Sequence, residues 1–469
     1  MSGPVSSPVS GGRFDADAVG VLGPWAKAVP VSAWGATGAD WVDGVGAVDG
    51  APPVLSDLPT PVLTLDASAV AHNTAAMAAW ARGAGGPAGR GVDLAPHGKT
   101  SMAPALWRAQ LAAGAWAVTV ATPWQLAVAL DAGVPRVLVA GPLLDARVHA
   151  LAAQALAGGS DRQVLVWADG ADVVAATAAA RAGSGAGTAV EGSPPLDVLV
   201  ELGAPGRRTG ARSVEAALGV ARAVAAAPGL RLAGATGYEG ALVHDASAAS
   251  LGVVRSWLRE LRTLHARMRE EGLLSERLPG GAVLSAGGSA YFDLVAEELA
   301  DLHDPLGESG PPTRVVVRAG ASVAHDDGFY ASVTPASRGT GPALRAGLHG
   351  WARVISRPEP GLALLDAGKR DLPFDEGLPV AQAVRRGGRG PARPLAPEEV
   401  TTTALNDQHT FLRLTGGADH LAVGDVVRLG LSHPCTAFDR WGLLPVLDSA
   451  DGAGGDEPRV VGLLRTVFG

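Results

Sequence analysis

The segment Pro96-His97-Gly98-Lys99-Thr100 closes an apolar run, and its lysine is one of only three in the chain, with Lys27 and Lys369, among 38 basic residues. A chain that chooses arginine for charge gains nothing electrostatic from a lysine here. A primary amine does what a guanidinium cannot: once desolvated it sheds its proton and forms a Schiff base with a carbonyl. Lys99 therefore reads as a nucleophilic amine, against the plainer reading of a solvated lysine at a strand end. Gly287-Gly288-Ser289 leads into a helical stretch, where glycine N–H groups, a helix N-terminus and a hydroxyl can seat a phosphate, although most such segments are only turns. His433 and Cys435 stand two apart, and on an extended segment both point to one side. Imidazole nitrogen with thiolate sulfur suits zinc, in an open site completed by water or substrate; packing is the competing account of the pair. Asp407 and His409 share a face by the same spacing, which makes His409 a candidate acid, with hydrogen bonding in a β domain equally open.

The elements that must position these groups follow from the rhythm of the chain. Short apolar runs recur at 92–95, 116–120, 136–140, 163–167, 196–202, 231–236, 282–286 and 313–318, most of them separated by alanine- and leucine-rich stretches long enough for a helix. Strands alternating with helices give right-handed βαβ units and a parallel sheet, and eight units favour a closed (β/α)8 barrel over an open sheet. Active sites of such barrels lie at the C-terminal ends of the strands. Lys99 follows the first run there, Arg208-Thr209-Gly210 comes after the fifth, Gly237-Tyr238-Glu239-Gly240 after the sixth and Gly287-Gly288-Ser289 after the seventh. Helical spacing fades after about 341, and strand-like runs at 350–356, 363–366, 401–405, 410–414, 426–431 and 460–466 announce a β domain. The expected organisation is an irregular arm over 1–57, a barrel over 58–340 whose first strand, 62–66, can pack with the β domain, and a β domain over 341–469 carrying the metal pair. Gly/Pro-rich stretches at 183–195 and 385–397 read as surface loops.

Composition narrows the function. Net charge of −8 without a basic stripe argues against nucleic acid or an anionic membrane as partner. A single cysteine, Cys435, excludes an intrachain disulfide and fits a reducing compartment, so the cytoplasm is expected. No signal peptide is evident, and no alanine-rich run reaches the roughly 18–20 apolar residues of a membrane span.

Taken together, Pro61-Val62-Leu63-Thr64-Leu65-Asp66, Pro96-His97-Gly98-Lys99-Thr100, Arg208-Thr209-Gly210, Gly287-Gly288-Ser289 and His433-Pro434-Cys435 resemble the D-serine dehydratase and D-threonine aldolase family, from about residue 58 to the C-terminus. Within it the chain looks most like the bacterial amino-acid deaminase branch. The resemblance implies an alanine-racemase-like barrel with a β domain, a fold type III pyridoxal-phosphate enzyme and, as expected of the group, a homodimer. Lys99 would hold pyridoxal phosphate as a Schiff base, Gly287, Gly288 and Ser289 would bind its phosphate, Arg208 would sit near the ring, Tyr238 would join in binding the cofactor, and His433 and Cys435 would bind zinc. Aldolase members look like His-x-Asp at the metal pair and dehydratases like His-x-Cys, so the chain sides with the dehydratases. The implied reaction takes a D-hydroxyamino acid such as D-serine or D-threonine to a 2-oxo acid and ammonia. Lys99 serves as the Cα base and zinc as Lewis acid toward the β-hydroxyl. A retro-aldol cleavage to glycine and an aldehyde, or a non-catalytic cofactor-binding protein, are the alternatives. The family often carries a tyrosine in the segment after the eighth strand, where this chain has Ser322.

Overall fold

The computed structural model describes Lys27 and residues 53–85, 90–159, 161–184, 194–275, 278, 280–308, 311–415, 421–452 and 456–468. The expected arm therefore lies outside the described residues apart from Lys27 and 53–57, as does most of the expected loop at 183–195. Strand β1 (Val62–Asp66) is followed by eight short parallel strands: β2 (Asp93–Leu94), β3 (Val118–Val120), β4 (Arg136–Val139), β5 (Gln163–Ala168), β6 (Leu196–Leu202), β7 (Leu230–Gly237), β8 (Ala282–Ala286) and β9 (Thr313–Val317). They run in the order β2-β9-β8-β7-β6-β5-β4-β3. The circuit closes where Thr119 N donates to Pro96 O at 2.9 Å and His97 bridges Thr119 in parallel. The result is a parallel (β/α)8 barrel.

Period-two alternation explains how such short strands hold two cores. Along β5, Val164 and Val166 face the helical shell, while Leu165 and Trp167 fill the barrel with Leu138, Leu199, Ala233, Val283 and Val316. Helices begin where the sequence supplies caps: Thr122 Oγ1 accepts from Gln125 N at 3.3 Å ahead of Pro123, and Ser213 and Ser247 accept from Ala216 N and Ser250 N, each at 3.2 Å. The eighth helical position is taken from upstream. Helix Ala67–Gly83 packs against β2 and the Ala321–Val323 turn that follows β9.

A second sheet is built by β10 (Leu348–Glu359), β11 (Leu362–Leu365), β12 (Val380–Arg385), β13 (Arg393–Pro394), β14 (Val400–Leu405), β15 (Thr410–Leu414), β16 (Val426–Gly430), β17 (Leu443–Leu447) and β18 (Val460–Arg465). The upstream strand β1 joins it, antiparallel to β10 and parallel to β17. Its core of Leu63, Leu65, Trp351, Leu412, Phe438, Trp441 and Leu444 is separate from the barrel's. The expected surface loop at 385–397 is not wholly a loop. Arg385 ends β12, is 1% exposed and ion-pairs with Glu457, and Arg393–Pro394 pairs with β12. Its Gly/Pro content serves a tight turn with positive φ at Gly387, Gly388 and Gly390.

The crossover between barrel and β domain carries an unusual charge load. Burial pushes Asp326 up to about 7 and Asp327 up to about 6. Asp326 Oδ1 accepts from Gly328 N and Ala331 N, both at 3.1 Å, while its Oδ2 is buried without a partner. Because the folded pKa lies above the unfolded value, the folded state keeps a proton that the unfolded chain releases. The associated stability is complete below about pH 4 and is lost as pH rises through about 7. Asp326→Asn keeps the capping oxygen and cannot ionise. We expect it to gain stability over the wild type at about pH 8, by on the order of 1–3 kcal/mol, and little at about pH 4. Melting temperature against pH reads this directly, and an equal shift at both ends would remove Asp326 titration as the cause.

Candidate active site

The C-terminal strand ends open into one cavity of about 900 Å³, walled on the far side by residues 329–330, 376 and 433–435. Lys99 enters it from a single 3-10 turn, Gly98–Thr100, just past β2. That turn is tightly held. A Cβ on Gly98 would meet Val118 Cγ1 at 2.8 Å and Trp107 at 2.9 Å, and Trp107 Nε1 donates to Gly98 O at 3.2 Å. A Cβ on Gly320 would likewise stand 2.6 Å from His97 Cβ. The amine is reachable from the cavity yet set deeply enough in protein that burial, with Arg208 adding to it and Cys435 opposing, lowers its pKa. Burial also depresses the neighbouring His97, helped by Lys99, Arg318 and Arg208, so that imidazole is neutral.

A buried polar floor lies beneath. Arg318, at the end of β9, is 0% exposed and donates to Ser285 Oγ at 2.5 Å, Gly237 O at 2.5 Å and Thr236 Oγ1 at 3.3 Å, with its guanidinium 4.9 Å from the Trp167 ring centre. Burial brings it down to about 10, so it remains a cation. Glu201 points inward from β6 and accepts from Thr209 Oγ1 at 2.9 Å; burial raises its pKa. Arg208 lies over Tyr238, 4.8 Å from guanidinium carbon to ring centre. The chain has three tyrosines, and all three, Tyr238, Tyr291 and Tyr330, line the cavity.

At the glycine turn the structure departs from the simple phosphate seat. The N–H groups of Gly287 and Gly288 donate to the fully buried carboxylate of Glu239, at 2.9 and 2.5 Å. Glu239 thus fixes the turn, and Gly287 does not line the cavity, whereas Gly288, Ser289 and Ala290 do. Gly288 must be glycine, since a Cβ there would come within 2.7 Å of Tyr238 Cε2. Ser289 Oγ accepts from Ala321 N at 3.0 Å, ahead of helix Phe292–Leu299.

His433 and Cys435 come to the cavity as well, by another geometry than an extended segment. Pro434 is helical, and Cys435 starts the short helix Cys435–Phe438. His433 Nδ1 pairs with Asp375 Oδ2 at 2.5 Å, and Thr436 Oγ1 donates to Asp375 Oδ1 at 2.6 Å. Burial works against a charged imidazole here, but Cys435 and Asp375 outweigh it and raise His433 to about 9. Cys435 also lies 3.3 Å from Thr100 Oγ1, which ties the thiol to the lysine turn. Among the described residues no group of three or more His, Cys, Asp or Glu side chains is arranged for a metal, so these two stand as a pair.

His409 is not brought to the cavity. It stands at the β14–β15 hairpin, its carbonyl accepting from Asn406 N at 2.8 Å, while Asp407 pairs with Arg370. Both residues fall in the turn between the two strands, so the shared face that two-residue spacing gives on a strand does not form. Ser322 is also elsewhere, buried with its hydroxyl on Ala319 O. The tyrosine on this side of the cavity is Tyr330, whose ring centre lies 6.2 Å from that of His433. Sequence reasoning missed Asp375, and Tyr330, Glu201, Arg318 and His244, which line the cavity. Of these, only Tyr330 had a usable signal, the rarity of tyrosine.

Comparison with known proteins agrees with this geometry. A family model described as "Putative serine dehydratase domain" matches residues 347–447. A D-threonine aldolase of Arthrobacter sp is 28% identical over 392 residues, 82% of this chain and 88% of that protein. In fold, the chain is similar to a D-threonine aldolase from Filomicrobium marinum, with TM-score 0.68, 24% identity and coverage of 88% of this chain and 98% of that one. It is likewise similar to a D-threo-3-hydroxyaspartate dehydratase from Delftia sp. HT23, with TM-score 0.65, 23% identity and coverage of 89% and 99%. Barrel, β domain and sequence relatives converge: residues 347–447 match the serine dehydratase domain family, and the chain as a whole has the alanine-racemase-like fold.

Proposed function

We propose that this chain is a pyridoxal-phosphate- and zinc-dependent lyase that converts a D-hydroxyamino acid such as D-serine or D-threonine to a 2-oxo acid and ammonia. The observation that carries it is the meeting of one low-pKa lysine, Lys99, and one nitrogen–sulfur pair, His433 with Cys435, across a single cavity. The residues fit both groups. A cavity of about 900 Å³ accommodates a cofactor with an amino acid. Lys99 would carry pyridoxal phosphate, Arg208 and Tyr238 would flank its ring, and Ser289 and Ala290 would take its phosphate, since Glu239 already occupies the two glycine N–H groups. For zinc, a carboxylate on His433 Nδ1 fixes the tautomer and leaves Nε2 for a metal, the usual support of a ligating histidine. Bound, the two groups would supply an electron sink at Cα and Lewis-acid polarisation of the β-hydroxyl.

The chain's own side chains do the rest. Lys99 Nζ, its pKa lowered by burial, is the base for the Cα proton. Asp375 and Thr436 hold His433 in place, and Phe329 and Tyr330 line the cavity beside it. A retro-aldol cleavage uses the same parts, and the 28% identical relative is named an aldolase, so it stands as the second reading. Products from D-threonine separate the two. Under the first reading the chain with pyridoxal phosphate and zinc releases 2-oxobutyrate and ammonia, and a chelator stops it; glycine and acetaldehyde would overturn this in favour of the aldolase.

A further inference from the structure

We propose that Glu376 is a charge-selecting residue that turns away substrates bearing a second carboxylate, so that the chain takes D-hydroxyamino acids with neutral side chains. This rests on the reading above and sharpens its substrate class. Glu376 lines the cavity on the side of His433 and Cys435, where the β-substituent of a substrate held at Lys99 would lie. Its loop is stitched to the metal-pair segment from both ends: His433 and Thr436 bond Asp375, and Ser432 Oγ donates to Gly377 O at 3.0 Å. Gly377 has φ +123°, a conformation that favours glycine, in the turn that presents Glu376. The loop thus presents the Glu376 carboxylate to the cavity on the side where a β-carboxylate would arrive.

The charge inventory makes the exclusion stronger. Two guanidinium cations, Arg208 and Arg318, and the Lys99 amine line the cavity, against four carboxylates, Asp169, Glu201, Glu239 and Glu376. Lys99 is committed to the cofactor, and Arg318 already donates to Ser285, Thr236 and Gly237. Arg208 alone is left to balance the phosphate and the substrate's α-carboxylate. His433 is engaged by Asp375. Zinc at the pair would be offset by the Cys435 thiolate and Asp375, so a second carboxylate meets Glu376 without a spare cation, and like charges brought together in the cavity set specificity by repulsion. The fold relative from Delftia sp. HT23 is named for 3-hydroxyaspartate, so shared architecture leaves this choice to local charge.

The test uses the full chain loaded with pyridoxal phosphate and zinc. D-asparagine and D-aspartate are isosteric and lack a β-hydroxyl, so their binding is read from changes in cofactor absorbance without turnover. We expect D-asparagine to bind at least about tenfold more tightly, and the gap to shrink about tenfold or invert in Glu376→Gln and Glu376→Arg. In turnover, kcat/KM for D-threonine over that for D-threo-3-hydroxyaspartate should fall by a similar factor in Glu376→Arg, mainly through KM on the acidic substrate. Equal binding of the two ligands by the wild type, or a ratio unmoved by either substitution, overturns the proposal. If no D-amino acid perturbs the cofactor at all, the reading of the site as a D-amino-acid lyase fails first and this inference with it.

Discussion

Lys99→Ala is expected to fold, to lose the visible absorbance of bound pyridoxal phosphate, and to lose lyase activity by about 10³-fold or more, because one nitrogen both tethers the cofactor and accepts the Cα proton. No other amine can substitute. Lys27 is paired with Asp371 at 2.6 Å, and neither it nor Lys369 lines the cavity. The fold should survive, since the turn is held by Gly98 and Trp107. Lys99→Arg is the sharper control, because it keeps the charge and removes only the nucleophile. If arginine preserved colour and turnover, Lys99 would be a solvated charge and the Schiff-base role would be lost. The lowered pKa of Lys99 adds a signature: deprotonation favours the base, so the lysine-dependent limb should rise with pH and begin below the range of an ordinary lysine.

Local pattern carried the barrel, because each strand is a short apolar run next to the helix that covers it, and β5 with Val164, Leu165, Val166 and Trp167 obeys the same alternation in sequence and in space. Lys99 was legible for a different reason: in an arginine-using chain a lysine is a chemical choice. What stayed hidden depends on contacts that no window of sequence contains. Strand β17, Leu443–Leu447, includes Pro445, which argues against a strand; its pairing with β1, far upstream in the chain, begins only at Val446, past the proline. Asp375 reaches His433 across 58 residues, and Glu239 reaches the glycine turn across 48. A glycine turn that looks like an anion seat cannot reveal that the chain fills part of it with its own carboxylate. His409 shows the converse: with Asp407 it falls in the turn between β14 and β15, where the two-residue alternation of a strand does not hold, and that turn lies away from the cavity.

Cys435→Ala should separate the two halves of the site. The cofactor's attachment depends on Lys99, so visible absorbance is expected to persist, while zinc content falls and ammonia release from D-serine drops by about 10²-fold or more. The reason is coordination: His433 alone, even oriented by Asp375, offers one donor, and a hydrogen-bonded imidazole without its sulfur partner holds a dication poorly. Chelator-treated wild type should reproduce the variant, and added zinc should rescue the wild type only. Cys435→Asp refines the argument, since it restores a second ligand with harder oxygen chemistry and should move metal preference from zinc toward manganese or magnesium. Cys435 also touches Thr100 Oγ1 beside Lys99, so a purely structural loss would disturb the lysine turn and the absorbance together. A variant that stays coloured but ceases to eliminate can only have lost the metal side, whereas one that keeps releasing ammonia at the wild-type rate reduces His433 and Cys435 to packing.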